Sequence, residues 1–353
     1  MADRGRWSAS AHGKRVVILG SGFAGFTAAA ELAGLLGDRH EVVVIARDDQ
    51  FLFVPSLPWV PFGLRTREHI TFAVGPALES RGVRFRHTNV RRLDLDRRLV
   101  MTGEGVERYD YLLIATGSRP NHAAVPGLGP NGYTQSIVTL PEAERTGAAF
   151  ARLLERPGPV VIGSVQGASC LTAADEFLFA MACELHARGL SGWAPLTFIT
   201  AQPSLGHGGP SGLGSSPDIA EQFMARLGIR SIVGAVVQAI SPSHVELVGG
   251  EKLPFAFAML VPPSMGVDVV RACTDITDAF GFVRINEFCQ TEAHPEVFAA
   301  GVAAASCTSA PEEMAHIVAH NIAAAIQGGS AIGWPSRYPA VTEHAAPPVA
   351  TPP

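Results

Sequence analysis

The hydrophobic pattern of the chain becomes regular at Lys14. Residues 14–47, KRVVILGSGFAGFTAAAELAGLLGDRHEVVVIAR, run from a short unbroken apolar stretch through glycines into an alanine-rich stretch, then into a second apolar run. A short apolar run before a glycine turn reads as a buried strand, and the alanine-rich stretch reads as a helix. The segment is therefore predicted to be one β-α-β unit. The rhythm returns at 159–200, where PVVIG, ADEFLFAMACELHARG and LTFIT predict strand, helix and strand again. Two more apolar runs, in ERYDYLLIATGSRPN and HPEVFAAGVAAA, predict further strands, the second followed by a helix from about Glu312 to Gln327. The chain is thus α/β, with two Rossmann-like units of dinucleotide-binding type.

The last strand and helix lie far in sequence from the first unit. The simplest assembly is a first domain of residues 14–125 completed by 265–327, interrupted by a second domain at 126–264. Residues 1–13 read as a polar, disordered arm. From Gly328 to Pro353 the chain is rich in Gly, Pro and Ala and reads as a loose tail.

Composition narrows the function classes. The 353 residues are 47% hydrophobic and 17% charged, which suits a compact globular protein with room for two cores. A formal net charge of −5 gives no global attraction to nucleic acid. Arg91, Arg92, Arg97 and Arg98 form a basic cluster, but Asp94 and Asp96 interleave with them, so the cluster reads as a solvated turn. Five cysteines, an odd number with no C-x-x-C and no zinc-like Cys/His spacing, predict neither a metal site nor a disulfide framework. That usage suits a reducing, cytoplasmic compartment. The first apolar run is too short for a signal peptide core, and no stretch approaches the roughly 20 apolar residues that span a bilayer. Membrane contact is expected to be peripheral at most.

Gly20-Ser21-Gly22-Phe23-Ala24-Gly25 follows a predicted strand and opens a predicted helix. That is the context in which such a fingerprint holds a pyrophosphate. Gly20 permits the tight turn, Gly22 lets the phosphates approach the backbone, and Gly25 lets helix pack on strand. The helix N-terminus then supplies N–H groups and a favourable dipole. The acid expected at the end of the second strand, where it would hold a ribose hydroxyl, is replaced by Ala46-Arg47, with Asp48 and Asp49 slightly late. The ribose must be held another way.

The second unit carries an altered turn, GPVVIGSVQGASCL, at 158–171. Its middle glycine is missing, Val165 intrudes where a pyrophosphate would approach, and TFITAQPS after the next strand offers no acid. It reads as a substrate domain rather than an NAD(P)H site. Cys170 falls where the helix opens, near Ser169. A thiol there is expected to be biased toward thiolate; the plain alternative is a small buried residue beginning a helix.

The glycine fingerprint, FLFVPSLPWV (51–60), YDYLLIATG (109–117), GASC (167–170), GHGGPSGLG (206–214) and VFAAGVA (297–303) occur in one order. Together they resemble the sulfide:quinone oxidoreductases, FAD proteins of the disulfide reductase type with two dinucleotide-binding domains. The likeness runs from about Lys14 to Gln327. It implies FAD pyrophosphate on Gly20, Gly22 and Gly25, with Phe23, Ala24, Ala46, Arg47 and Val90 also beside the cofactor. It implies Ala115, Thr116 and Gly117 passing close to the flavin and Pro55 packing beside its ring, although VPSLPW also reads as a rigid proline-rich cover. Gly301 would approach the ribityl chain, and the helix opening near Glu312 would aim N–H groups at the flavin carbonyl, stabilising charge on the reduced ring. Cys170 would carry sulfide sulfur as a persulfide. His207 would accept a proton, or simply punctuate a glycine-rich loop.

Departures from the family are equally legible. In TQSIVTLPEAE (134–144), Val138 and Glu142 stand where a third cysteine and a second histidine would be sought. No cysteine follows the last helix, and the proline-broken tail forms no amphipathic membrane helix. The stretch AAASCTSAPEEM (303–314) is short and implies a changed quinone pocket. Three readings stay open. Cys170 pairs with Cys307 or Cys289; or it works singly with a small thiol or external acceptor; or sulfide chemistry is lost. The alternatives are a flavin-dependent NAD(P)H:acceptor reductase and a flavin-binding, non-catalytic partner protein. The oligomeric state is open, a homodimer included.

Overall fold

The computed structural model describes residues 13–205, 217–304 and 311–334. His207, Cys307, residues 1–12, the glycine-rich stretch 206–214 and residues 335–353 lie outside these. The chain forms two compact units. The first takes residues 13–52, 72–119, 265–304 and 311–334; the second takes 53–71, 120–205 and 217–264.

The first unit is built on a five-stranded parallel sheet in the order Val297–Ala299, Tyr111–Ile114, Arg15–Leu19, Glu41–Ala46, Arg84–His87. Parallel strands covered on both faces read as continuous apolar runs, and Val16–Leu19, Val43, Val44 and Leu112–Ile114 are sealed in the core. Helix Phe23–Leu36 follows the first strand and packs along helix Pro311–Gln327. Alanines at 28, 29, 315, 319 and 323 keep the backbones close. Gln327 Nε2 donates to the Leu35 carbonyl at 2.8 Å, and His316 bonds Glu31 at 2.5 Å. A three-stranded antiparallel sheet, Val90–Asp94, Leu99–Thr102 and Gly105–Arg108, flanks this core.

The second unit repeats the plan with a four-stranded parallel sheet, ordered Arg230–Ile232, Leu196–Ile199, Val160–Ser164, Phe257–Val261. Helices Leu140–Glu155 and Leu171–Ala187 cover it. A second antiparallel sheet runs Val237–Ile240, His244–Leu247, Lys252–Pro254.

Three expectations change. Residues 53–71 belong to the second unit, and the crossover out of the first comes at Arg119 rather than at residue 125. The cause is packing that periodicity does not encode. Val54–Phe62 forms a 3₁₀ helix with Pro58 and Pro61 inside it, and Phe62 packs edge-on against Phe150 at 4.9 Å and at a tilt against Phe177 at 5.0 Å. Prolines deny the stretch an α-helical ladder and leave the tighter form. Finally, residues 328–334 are not loose. The buried Asn321 amide exchanges two hydrogen bonds with the Ile332 backbone, at 2.8 and 2.9 Å. Trp334 N–H donates to the Glu287 carbonyl at 2.6 Å.

Candidate functional site

In open parallel sheets ligands bind beyond the carboxyl ends of strands, where the strand order reverses. In the first unit that point lies between Arg15–Leu19 and Tyr111–Ile114, and it gathers the predicted cofactor residues. Gly20 adopts φ +102°, and a Cβ there would stand 2.3 Å from the Ala115 carbonyl oxygen. A Cβ on Gly25 would stand 2.1 Å from the Gly20 carbonyl oxygen, so only glycine lets the helix begin so close to the strand. Gly22 is different. It caps helix Phe23–Leu36, and a Cβ on it would meet nothing within 4 Å. Gly117, at φ +67°, is equally open. Two close-packed glycines thus frame an open place at a helix N-terminus, a cradle that fits the FAD pyrophosphate.

Around this cradle, Ala24 is buried and Phe23 packs edge-on against Phe51 at 5.0 Å. Thr116 follows Ala115 and is half-buried. Gly301 brings two helix starts together, because its Cβ would lie 3.1 Å from Ala24 Cβ and 3.5 Å from Pro311 Cβ. Helix Pro311–Gln327 opens with Glu312 and Glu313 in its first turn. Ala46 ends its strand buried, whereas the Arg47 side chain is 76% exposed and paired with Asp48 at 3.1 Å. Sequence inspection passed over Ser21, whose hydroxyl donates to the Asp48 carbonyl at 3.4 Å and ties the glycine turn to the end of the second strand. Val90 starts the antiparallel sheet, half-buried against the core. Pro55 is exposed on the 3₁₀ helix of the second unit.

In the second unit the reversal lies between Val160–Ser164 and Phe257–Val261, and the turn leaving the former leads to Cys170. The turn is closed. Gly163 makes the same close approach to backbone as Gly20, its Cβ falling 1.9 Å from the Ile199 carbonyl oxygen, but where the first unit has the open Gly22 this turn has Val165, buried with its N–H on the Val261 carbonyl at 3.2 Å. Cys170 is the N-cap of helix Leu171–Ala187, one residue later than Ser169, and it is exposed. Although the residue is exposed, the protein crowds its thiol. The thiol titrates above its ordinary value. The protein packed around it disfavours the charged form, and that outweighs the Ala173 backbone N–H, which favours the thiolate. The expected bias toward thiolate is thus only a partial offset. Five residues on, burial and the neighbouring Glu176 push the Asp175 carboxyl up to about 6.

The remaining candidates separate clearly. Cys289 sits at 0% exposure in the core of the first unit, its thiol pushed up to about 12 by burial. Val138 is half-buried. Glu142 holds His122 Nε2 at 2.9 Å and accepts from the Ser136 hydroxyl at 2.8 Å, and these bonds keep its carboxyl below the usual range despite burial. The position that lacks a family histidine thus binds one supplied from elsewhere in the chain. Sequence inspection also missed Gln166, which is hydrogen-bonded to Val237. Its only signal was a long amide side chain inside a glycine turn.

Fold and cradle together define a two-unit dinucleotide-binding flavoprotein. The chain matches the pyridine nucleotide-disulphide oxidoreductase family over residues 14–325 and belongs to it. Members of that family bind FAD, and this chain is an FAD-dependent oxidoreductase. It is 33% identical to the sulfide-quinone reductase of Aquifex aeolicus over 88% of this chain and 76% of that one. The crystal structure of the A. aeolicus sulfide:quinone oxidoreductase superposes with a TM-score of 0.82 at 31% identity, covering 88% of this chain and 76% of that one. An NADH dehydrogenase-like protein of Mycobacterium tuberculosis is 28% identical over 83% of this chain and 73% of that one.

Proposed function

We propose that the protein oxidises sulfide at Cys170 and delivers the electrons by way of FAD to a quinone. One observation carries the reading: the buried Val165 fills the place where a second dinucleotide would approach, and the same turn presents Cys170 at a helix N-terminus. In the capture step a bond forms between Cys170 Sγ and the sulfide sulfur. Cys170–SH and H₂S become Cys170–S–SH, releasing two protons and two electrons. FAD would be held on Gly20, Gly22, Gly25, Ala115, Thr116, Gly117 and Gly301 and would supply the two-electron acceptor, with the quinone, taking two protons, as the final oxidant. Cys170 is the nucleophile, placed at the N-cap of helix Leu171–Ala187. His207 takes a proton, and Cys307 or an external thiol takes the outer sulfur as its own persulfide, which restores Cys170–SH. The buried Cys289 is not used. The protein acts in the cytoplasm with at most peripheral membrane contact, and no helix among the described residues is long and apolar enough to cross a membrane.

The test is anaerobic. Sulfide added to the yellow protein bleaches the flavin band near about 450 nm, and Cys170→Ala lowers that rate about a thousandfold at unchanged flavin content. Rapid bleaching by NADH with none by sulfide overturns the reading in favour of an NAD(P)H-dependent reductase. An FAD that resists both donors marks a non-catalytic flavoprotein.

A further inference from the structure

The turn carrying Cys170 spans Val165–Cys170, between strand Val160–Ser164 and helix Leu171–Ala187. Such a turn is steered by its hydrogen bonds. Val165 N–H is fixed to the Val261 carbonyl, Ala168 N–H closes back on the Val165 carbonyl at 3.2 Å, and Gly167 takes φ +76°. None of these ties the turn to anything beyond the parallel sheet and itself. Gln166 does. Its Nε2 donates to the Val237 carbonyl at 3.0 Å, and its Oε1 accepts from the Val237 N–H at 3.0 Å.

Val237 begins the outer strand of the three-stranded antiparallel sheet, beside a register irregularity between Val237 and Ala239. An outer strand has free N–H and C=O groups along one edge. The Gln166 amide offers a donor and an acceptor side by side, as a neighbouring strand does. It pairs with that edge and joins the thiol-bearing turn to a second sheet. Val165 and Val237 also share one apolar cluster, with Val161, Ile199 and Leu260, so the clasp lies over packed core. The first unit uses the same device where Asn321 fixes Ile332.

We propose that Gln166 is the positioning residue of Cys170, and that its two bonds to Val237 set where the sulfur stands at the head of helix Leu171–Ala187. The proposal rests on the assignment of Cys170 as the sulfur-carrying thiol. Gln166 itself touches neither substrate nor flavin. Its two bonds keep the turn seated so that Cys170 stays at the N-cap of helix Leu171–Ala187, where the helix N-terminus favours the thiolate. A loosened turn lets the N-cap residue move out of line with the helix, and the thiol loses the favourable field of the helix N-terminus.

The experiment follows Cys170 alone in the flavin-loaded protein. Iodoacetamide alkylation is measured from pH 6 to pH 10, with Cys170 read by peptide mass spectrometry, in the native protein, Gln166→Met and Gln166→Glu. Methionine keeps the length and loses both bonds, whereas glutamate keeps the acceptor for Val237 N–H. The expected result is a Gln166→Met titration curve displaced to higher pH, with alkylation near pH 7.5 slowed about fivefold at native flavin content. The glutamate variant falls between the two. Superimposable curves overturn the proposal, and so does a lowered melting temperature with an unchanged curve, because then the clasp is structural only. Sulfide bleaching is scored separately. A displaced curve in a protein that sulfide never bleaches supports the positioning role and removes the sulfide reading.

Discussion

Gly22 and Gly25 lie three residues apart and answer to different constraints. Gly25 is glycine because protein stands in the way, whereas Gly22 is glycine although nothing does. A side chain at 22 therefore harms only what occupies the space beside it. Gly22→Val is expected to fold with a melting temperature close to that of the native protein stripped of flavin, and to retain less than about a tenth of the bound FAD. The flavin-to-protein absorbance ratio reads the one and calorimetry the other. Gly25→Val, by contrast, is expected to disrupt folding itself. Both roles of these glycines were legible in the sequence, because the motif is local. What was not legible at this scale was any partner distant in the chain. His122 and Glu142 are 20 residues apart, and nothing in either neighbourhood signals their pairing. The thiol of Cys170 likewise could be placed at a helix start from sequence, but its titration depends on how closely other segments crowd it.

Asp175 gives a pH signature. Its folded-state pKa, about 6, is raised above its ordinary value by burial. A raised carboxyl favours the folded state most where it is protonated in both states, below about pH 4, and that advantage is lost as pH rises through 6. Asp175→Asn is therefore expected to be more stable than the native protein at pH 8, by about 1–2 kcal/mol after allowance for solvent screening. The difference vanishes near pH 4. Thermal unfolding of both proteins at the two pH values decides it.

At the scale of elements, the strands and principal helices followed from apolar runs and glycine turns, since buried parallel strands and amphipathic helices advertise themselves. The 3₁₀ helix Val54–Phe62 did not, and neither did its allegiance. Its sequence is proline-broken, and its place is decided by the rings of Phe150 and Phe177. Phe177 also stacks on Phe257 at 6.2 Å and is fully buried. Phe177→Ala removes the centre of this aromatic group, at an expected cost of about 3–5 kcal/mol, measured by denaturant unfolding. Accessibility sorts the cysteines in the same way. Brief alkylation of the native protein is expected to label Cys170 and Cys183, which are exposed, and to spare Cys273 and Cys289, which are buried. Mass spectrometry after unfolding and a second label reports which is which.

At the scale of the molecule, the glycine cradle belongs to one unit and Cys170 to the other. Ligand binding to the folded state alone stabilises it in proportion to the logarithm of its saturation. Removing FAD should thus lower the melting of the first unit, leaving the unfolding of the second closer to its original temperature. Differential scanning calorimetry of the loaded and stripped protein checks this. The division into two units was visible in the repeated β-α-β pattern. The boundaries were displaced at residues 53–71 because a crossing of the chain between cores leaves no mark on local periodicity.

The strand Val297–Ala299 and the helix Pro311–Gln327 complete the first sheet although they are made last. On the ribosome this sets an order of events. Among the described residues, the parallel sheet of the second unit is complete once Val261 has emerged, while the first still lacks the edge beside Tyr111–Ile114 and the helix that covers Phe23–Leu36. The amino-terminal half therefore waits, exposed, through the synthesis of an entire neighbouring core. A nascent chain stalled just after residue 264 should bind chaperones through the segment that contains Val16–Leu19, and release them only when the carboxyl-terminal helix arrives.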